Sequence, residues 1–135
     1  MLKAHAKMKN DFETIVDNSR GHQIQMDLPP NQQGGDKGAS PLEIMLMGYA
    51  GCTITVFKMI ANKMRLNIEE ISIDSEADKA EEEQTIVEVR SQVNVKTKES
   101  KDKLLKVLEM TEKNCPVGRI YNEAKIPRKL ILNII

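Results

Sequence analysis

Ser40-Pro-Leu-Glu-Ile-Met-Leu-Met-Gly-Tyr-Ala-Gly-Cys-Thr-Ile-Thr-Val-Phe57 decides how the rest of the chain is read. Ser40 is a good helix N-cap, Pro41 suits the first helical position, and Glu43 completes a capping box. The spacing predicts a helix from Pro41 to about Met64. Its apolar residues (Leu42, Met45, Leu46, Tyr49, Ala50, Ile54, Val56, Phe57 and Ile60) cover most of its circumference. A helix apolar all round must be buried all round. One subunit of 135 residues can hardly enclose it, so a partner subunit is implied. Gly48 and Gly51 weaken the helix locally, and close approach of another element near Cys52 is the expected compensation.

Working outward, the first third reads as extended. Ala4, Ala6 and Met8 alternate with His5, Lys7 and Lys9, a strand pattern. A second short strand fits Phe12–Val16, and Ile24, Met26 and Leu28 alternate in a third. Asn18-Ser-Arg-Gly21 is a turn, with Gly21 free to take positive φ. An antiparallel meander follows. The stretch 29–38 is a loop by composition. Beyond the helix, Ile68–Asp74 and Gln84–Val95 read as strands, joined through a polar loop at Ala77–Glu83. Ser100 caps a helix to about Asn114, with Leu104, Leu105, Leu108 and Thr111 at helical spacing. Pro116 disfavours helix at Cys115 and opens a short helix from Val117 to Ala124. Leu130, Leu132 and Ile134 close the chain as a strand. The order is β-β-β-α-β-β-α-α-β, a single α+β domain.

Composition narrows the function classes. Apolar residues make up 40% and charged residues 30%, with 20 bases against 20 acids. A neutral chain with few aromatics argues against nucleic acid or an anionic membrane as partner. Charge interrupts any apolar signal core in Met1–Lys7. No unbroken apolar run reaches the roughly 20 residues of a membrane helix. The expected location is the cytoplasm, where a structural disulfide is disfavoured.

The chain has only two cysteines, Cys52 and Cys115. A thiol inside an apolar helix is usually inert filler. Cys115, at the N-cap of a new helix, gains free N–H groups and a positive helix end, both of which favour the thiolate. His5 and His22 have no metal-ligand spacing with the cysteines, so neither zinc nor any cofactor is expected. Glu43 is explained as the capping residue and lies nine positions before Cys52, roughly the opposite side of the helix. Arg20 sits in a turn, and Arg119 lies one helical turn past Cys115.

Gly38-Ala-Ser-Pro-Leu-Glu-Ile-Met-Leu-Met-Gly-Tyr-Ala-Gly-Cys-Thr53 resembles the central-helix motif of the OsmC/Ohr family. Asn114-Cys-Pro-Val-Gly-Arg119 resembles its second-cysteine motif. The loop Gly34–Pro41, with His22–Asp27 before it, looks closest to the YhfA-like branch. The resemblance implies an intertwined homodimer, with antiparallel sheets wrapped around central helices and sites at the subunit interface. It implies a thiol peroxidase acting on organic hydroperoxides. Cys52 becomes a sulfenic acid, Cys115 condenses with it to a disulfide, and an external dithiol restores both. By the same resemblance Arg20, oriented by Glu43, is the first candidate activator of Cys52; Arg119, by its nearness to Cys115, is the other. Met45, Leu46, Tyr49 and Val117 are the candidate substrate wall. In the hydroperoxide-resistance branch a Glu directly follows the motif's Pro; here Leu42 holds that place and Glu43 comes next. The alternative is a non-enzymatic protein of the same fold, binding an apolar small molecule at the dimer interface.

Overall fold

The computed structural model describes all 135 residues. They form two compact units, residues 1–45 and 46–135. The first holds an antiparallel meander of β1 (His5–Asn10), β2 (Glu13–Asp17) and β3 (Gln23–Met26). Gly21 takes φ +88° in the β2–β3 turn, as its sequence context predicts. A short 3-10 turn at Pro30–Gln32 interrupts the following loop. Asp27 organises that loop: its carboxylate accepts the backbone N–H groups of Leu28, Gly35 and Lys37. Glu13, also buried, receives Lys9, Lys37 and the Gln25 amide. Helix α1 (Pro41–Lys63) begins in this unit and supplies the second unit with its buried stripe.

The second unit packs α1, α2 (Lys101–Asn114) and α3 (Pro116–Glu123) with β4 (Glu70–Lys79), β5 (Ile86–Lys96) and β6 (Arg128–Ile134). β4 pairs antiparallel with β5, and β6 pairs parallel with β5. A parallel neighbour requires a long crossover, which α2 and α3 provide. The core gathers Phe57, Ile60, Ala61, Leu66 and Ile68 with Val93, Val95, Leu104, Val107 and Leu108. In α2 the inner stripe is Leu104, Val107, Leu108 and Thr111. Leu105, expected inside, is exposed because it lies off the 3–4–7 spacing of that stripe.

A further expectation is corrected. The polar stretch Ala77–Glu83 is not all loop, since β4 runs to Lys79. Its polar residues tolerate a strand because they face outward and meet partners across it, Asp78 gripping Arg90 through two hydrogen bonds. Helix α1 is also long and apolar enough to span a membrane, with a mean hydropathy of 1.6 over 18 residues. Its glycines and threonines break the apolar run without adding charge. The helix serves the core: Tyr49, Thr53, Phe57, Ile60 and Ala61 form a buried stripe at helical spacing. Its other side carries exposed Met47, Gly48, Gly51, Thr55 and Met59. Nothing in the chain lies within 4 Å of where a Cβ would stand on Gly48 or Gly51. Within one chain, then, the all-round burial expected of α1 is absent, and the close approach expected near Cys52 comes from the Cys115 turn rather than at the glycines.

Candidate active site

Two reduced cysteines meet at the junction of α1 and α3. Cys115 is both the C-cap of α2 and the N-cap of α3, in extended conformation at φ −71° and ψ 111°. Pro116 enforces that conformation on its predecessor. The Cys115 N–H closes α2 on the Thr111 carbonyl, and its own carbonyl accepts Arg119 N–H to open α3. Its sulfur accepts the Gly118 N–H at 3.3 Å, the usual task of a capping oxygen. The Cys115 and Cys52 sulfurs stand 3.2 Å apart. The Thr53 hydroxyl, bonded to the Tyr49 carbonyl, stands 3.9 Å from the Cys115 sulfur. Cys115 is 2% exposed, whereas Cys52 is only half-buried. Cys52 is therefore the more accessible sulfur of the two.

Burial pushes the Cys52 thiol above its ordinary range, the backbone N–H of Val117 pulls it down, and the Cys115 sulfur pushes it up again. The first N–H groups of α3 serve both sulfurs: Val117 faces Cys52 and Gly118 faces Cys115.

Behind the pair lies a second layer. Tyr49 is fully buried, and its ring packs 5.3 Å from that of Tyr121, tilted by 51°. Arg128, the first residue of β6, lies over the Tyr49 ring at 5.5 Å and donates to its hydroxyl at 3.3 Å. Its Nε and Nη2 both donate to Asn122 Oδ1, at 3.1 and 2.9 Å. A Cβ on Gly118 would stand 2.6 Å from Arg128 Nη1. The guanidinium fills the space that a side chain at 118 would need. The Tyr121 hydroxyl is buried without a hydrogen-bond partner, and burial raises its pKa. No group of three or more His, Cys, Asp or Glu side chains is placed to hold a metal ion.

The model of the family described as OsmC-like protein matches residues 34–130. The chain belongs to the OsmC family. Solved structures agree on the fold of this OsmC family member. One is a protein from Psychrobacter arcticus named for osmotic stress induction and a detoxification response. It is 22% identical, with a TM-score of 0.87 over 98% of this chain and 96% of that one. An OsmC-like protein from Mycoplasma pneumoniae is 16% identical, with a TM-score of 0.85 over 100% and 96%. An organic hydroperoxide resistance protein from Elizabethkingia anophelis is 16% identical, with a TM-score of 0.79 over 100% and 96%. No curated protein matches the chain.

Of the residues that the OsmC resemblance singled out, Cys52 and Cys115 come together. Glu43 is fully engaged in the capping box: its carboxylate accepts Ser40 N–H at 2.6 Å, and Ser40 Oγ accepts Glu43 N–H at 3.5 Å. That backbone bond holds the Glu43 carboxyl below its ordinary range. Arg20 lies exposed in the β2–β3 turn, its N–H bonded to Asn18 Oδ1. Met45 is exposed, Leu46 and Val117 are half-buried, and Tyr49 is buried beneath Arg128. Thr53, Gly118, Tyr121, Asn122 and Arg128 escaped the sequence reading. Arg128 and Tyr49 are 79 residues apart, and no local pattern links them. Only the glycine inside Cys-Pro-Val-Gly-Arg119, unusual in a first helical turn, hinted that something presses on α3.

Proposed function

We propose that this protein is a cysteine-based peroxidase that reduces organic hydroperoxides. The observation that carries the reading is the dithiol itself: an accessible sulfur 3.2 Å from a second sulfur held on a helix N-terminus. The Cys52 thiolate attacks the distal oxygen of the hydroperoxide. The O–O bond breaks, the alkoxide leaves and takes a proton to become the alcohol, and Cys52 is a sulfenic acid. The Cys115 thiol then attacks the Cys52 sulfur, its proton joins the departing hydroxide as water, and a disulfide forms. An external dithiol supplies the two electrons and two protons that restore both thiols. Met45, Leu46 and Val117 are the proposed wall for an apolar substrate, with buried Tyr49 behind them. A homodimer is proposed, because the Met47, Gly48, Gly51, Thr55 and Met59 side of α1 calls for cover. The proposed setting is the cytoplasm, which holds the required dithiol reductants. Arg20 and Glu43 are the proposed activators of Cys52.

Stopped-flow oxidation of the reduced protein by cumene hydroperoxide and by hydrogen peroxide tests the reading. The expected outcome is an internal disulfide, formed faster with the organic peroxide. Recovery of both thiols after saturating cumene hydroperoxide would overturn it. The second reading is an OsmC-fold protein that binds an apolar small molecule at its dimer interface, without redox turnover. One observation favours it: burial pushes the Cys52 thiol up, away from the reactive thiolate.

A further inference from the structure

We infer that Arg128 is a positioning residue for the closing of the Cys52–Cys115 disulfide, acting through its grip on α1 and α3. The inference rests on the dithiol reading above and adds a residue to it. The guanidinium touches three parts of the site from one place. It lies over the ring of Tyr49, one helical turn before Thr53 and Cys52 on α1. It holds Asn122 on α3 through a two-pronged bond to one oxygen. It also abuts Gly118, whose N–H caps the Cys115 sulfur. A planar fork can make these contacts together, whereas an ammonium cannot.

The three contacts have one mechanical effect. Disulfide closure needs the two sulfurs to approach from 3.2 Å to about 2.05 Å, with a specific torsion between them. Cys52 rides on α1 and Cys115 on the first turn of α3. The separation and angle of those two helices therefore decide how often the sulfurs meet in reacting geometry. Arg128 is anchored on β6, whose Arg128 pairs in register with Val89 of the central strand β5. It ties the start of α3 to the Tyr49 turn of α1 and to the sheet at once. The vacancy at Gly118 is the counterpart of this arrangement, because any larger residue there would meet Nη1 at 2.6 Å. The guanidinium does not touch the peroxide-reacting sulfur in this scheme. Its effect belongs to the second chemical step, the attack of Cys115 on oxidised Cys52.

Two measurements test this. The first compares the rate of disulfide closure with the rate of first oxidation by cumene hydroperoxide, with the sulfenic acid trapped by dimedone and weighed by mass spectrometry. In Arg128→Met the closure-to-oxidation ratio should fall by about tenfold or more, since misplacing reacting groups by 1 Å can cost about a hundredfold. Asn122→Ala should lower it in the same direction, and the double variant should fall no further than Arg128→Met, because one clamp is being removed twice. Arg128→Lys keeps the charge and loses the fork, so it should behave like Arg128→Met. Wild-type closure in Arg128→Met, or full rescue by Lys, overturns the inference. The second measurement is independent of peroxide: equilibrate the protein with glutathione redox buffer and read the effective molarity of the pair. It should drop by a similar factor in Arg128→Met, and an unchanged value counts against the clamp. If wild type ignores peroxide yet the glutathione arm shows the drop, the peroxidase reading fails and the clamp stands. Asn122 is exposed, so its variant tests the clamp even if Arg128→Met folds poorly.

Discussion

Asp27 and Cys52 face the same physical problem and solve it differently. Each is an acidic group withdrawn from water, one in each compact unit. Asp27 is surrounded by three backbone N–H donors, and the bond from Lys37 leads in holding its carboxyl below the usual carboxylate range. Cys52 has one backbone N–H and a neighbouring thiol, and burial wins, raising its pKa. Donors outweigh desolvation in the first case and fall short in the second. A group left short of donors keeps its proton until something else arrives to stabilise the charge. The structural acid is settled by its own loop, and the chemical one is left responsive.

The most severe way to break this comparison is to remove the responsive group. Cys52→Ser should abolish consumption of cumene hydroperoxide, and Cys115→Ser should allow one oxidation and stall at the sulfenic acid, both read by mass spectrometry. Full consumption by Cys52→Ser would end the mechanism.

Next comes the settled acid. Asp27→Ala leaves the Leu28, Gly35 and Lys37 N–H groups without their acceptor, so the loop 28–37 should gain hydrogen exchange and the melting temperature should fall. Because the folded pKa of Asp27 is depressed, its stabilising share is present above the unfolded carboxylate range and lost as pH falls through the folded value. Asp27→Asn should therefore show a flatter acid-side stability profile than wild type. Parallel profiles would mean that Asp27 contributes no charge term.

The comparison sharpens through Cys52 itself. Its raised pKa favours folding below the unfolded thiol value, and the advantage disappears as pH rises through the folded value. Iodoacetamide labelling of Cys52 that turns on only above the ordinary thiol value of about 8.5 would favour the non-redox reading. Labelling at neutral pH that Arg20→Ala shifts upward would identify Arg20 as the activating cation. The smallest effect belongs to the capping box. Ser40→Ala should cost about 1 kcal/mol of stability, measured by urea unfolding, with no change in cysteine reactivity.

Local signals carried the element order and failed wherever the partner was remote. Ser40, Pro41 and Glu43 announce α1, and Cys115-Pro116 announces the break between α2 and α3, since capping and proline sterics act over three or four residues. The alternation through Ala4–Met8 and Val87–Val95 gave the strands. The extension of β4 through Ala77 and Lys79 was hidden, because charged residues gain their strand partners only across the sheet, as Asp78 does from Arg90. The parallel pairing of β6 with β5 left no local mark. At the site, the two cysteines stood out by residue type. The layer behind them did not, since Tyr49, Asn122 and Arg128 converge from three separate elements. Arg128 belongs to no local motif, and only its seat against Gly118 distinguishes it.

The attachment of β6 along β5 also sets a schedule. The hairpins of residues 5–26 close over short sequence distances, whereas the Arg128–Tyr49 contact must wait for 79 residues of intervening chain. Contacts of such long sequence separation form slowly. As the polypeptide is synthesised, Cys52 emerges 63 residues before Cys115 and spends that interval as a solitary thiol. The strand that carries the guanidinium follows later still. Assembled in this order, the two sulfurs can meet only after the whole stretch from α1 to α3 has joined the chain.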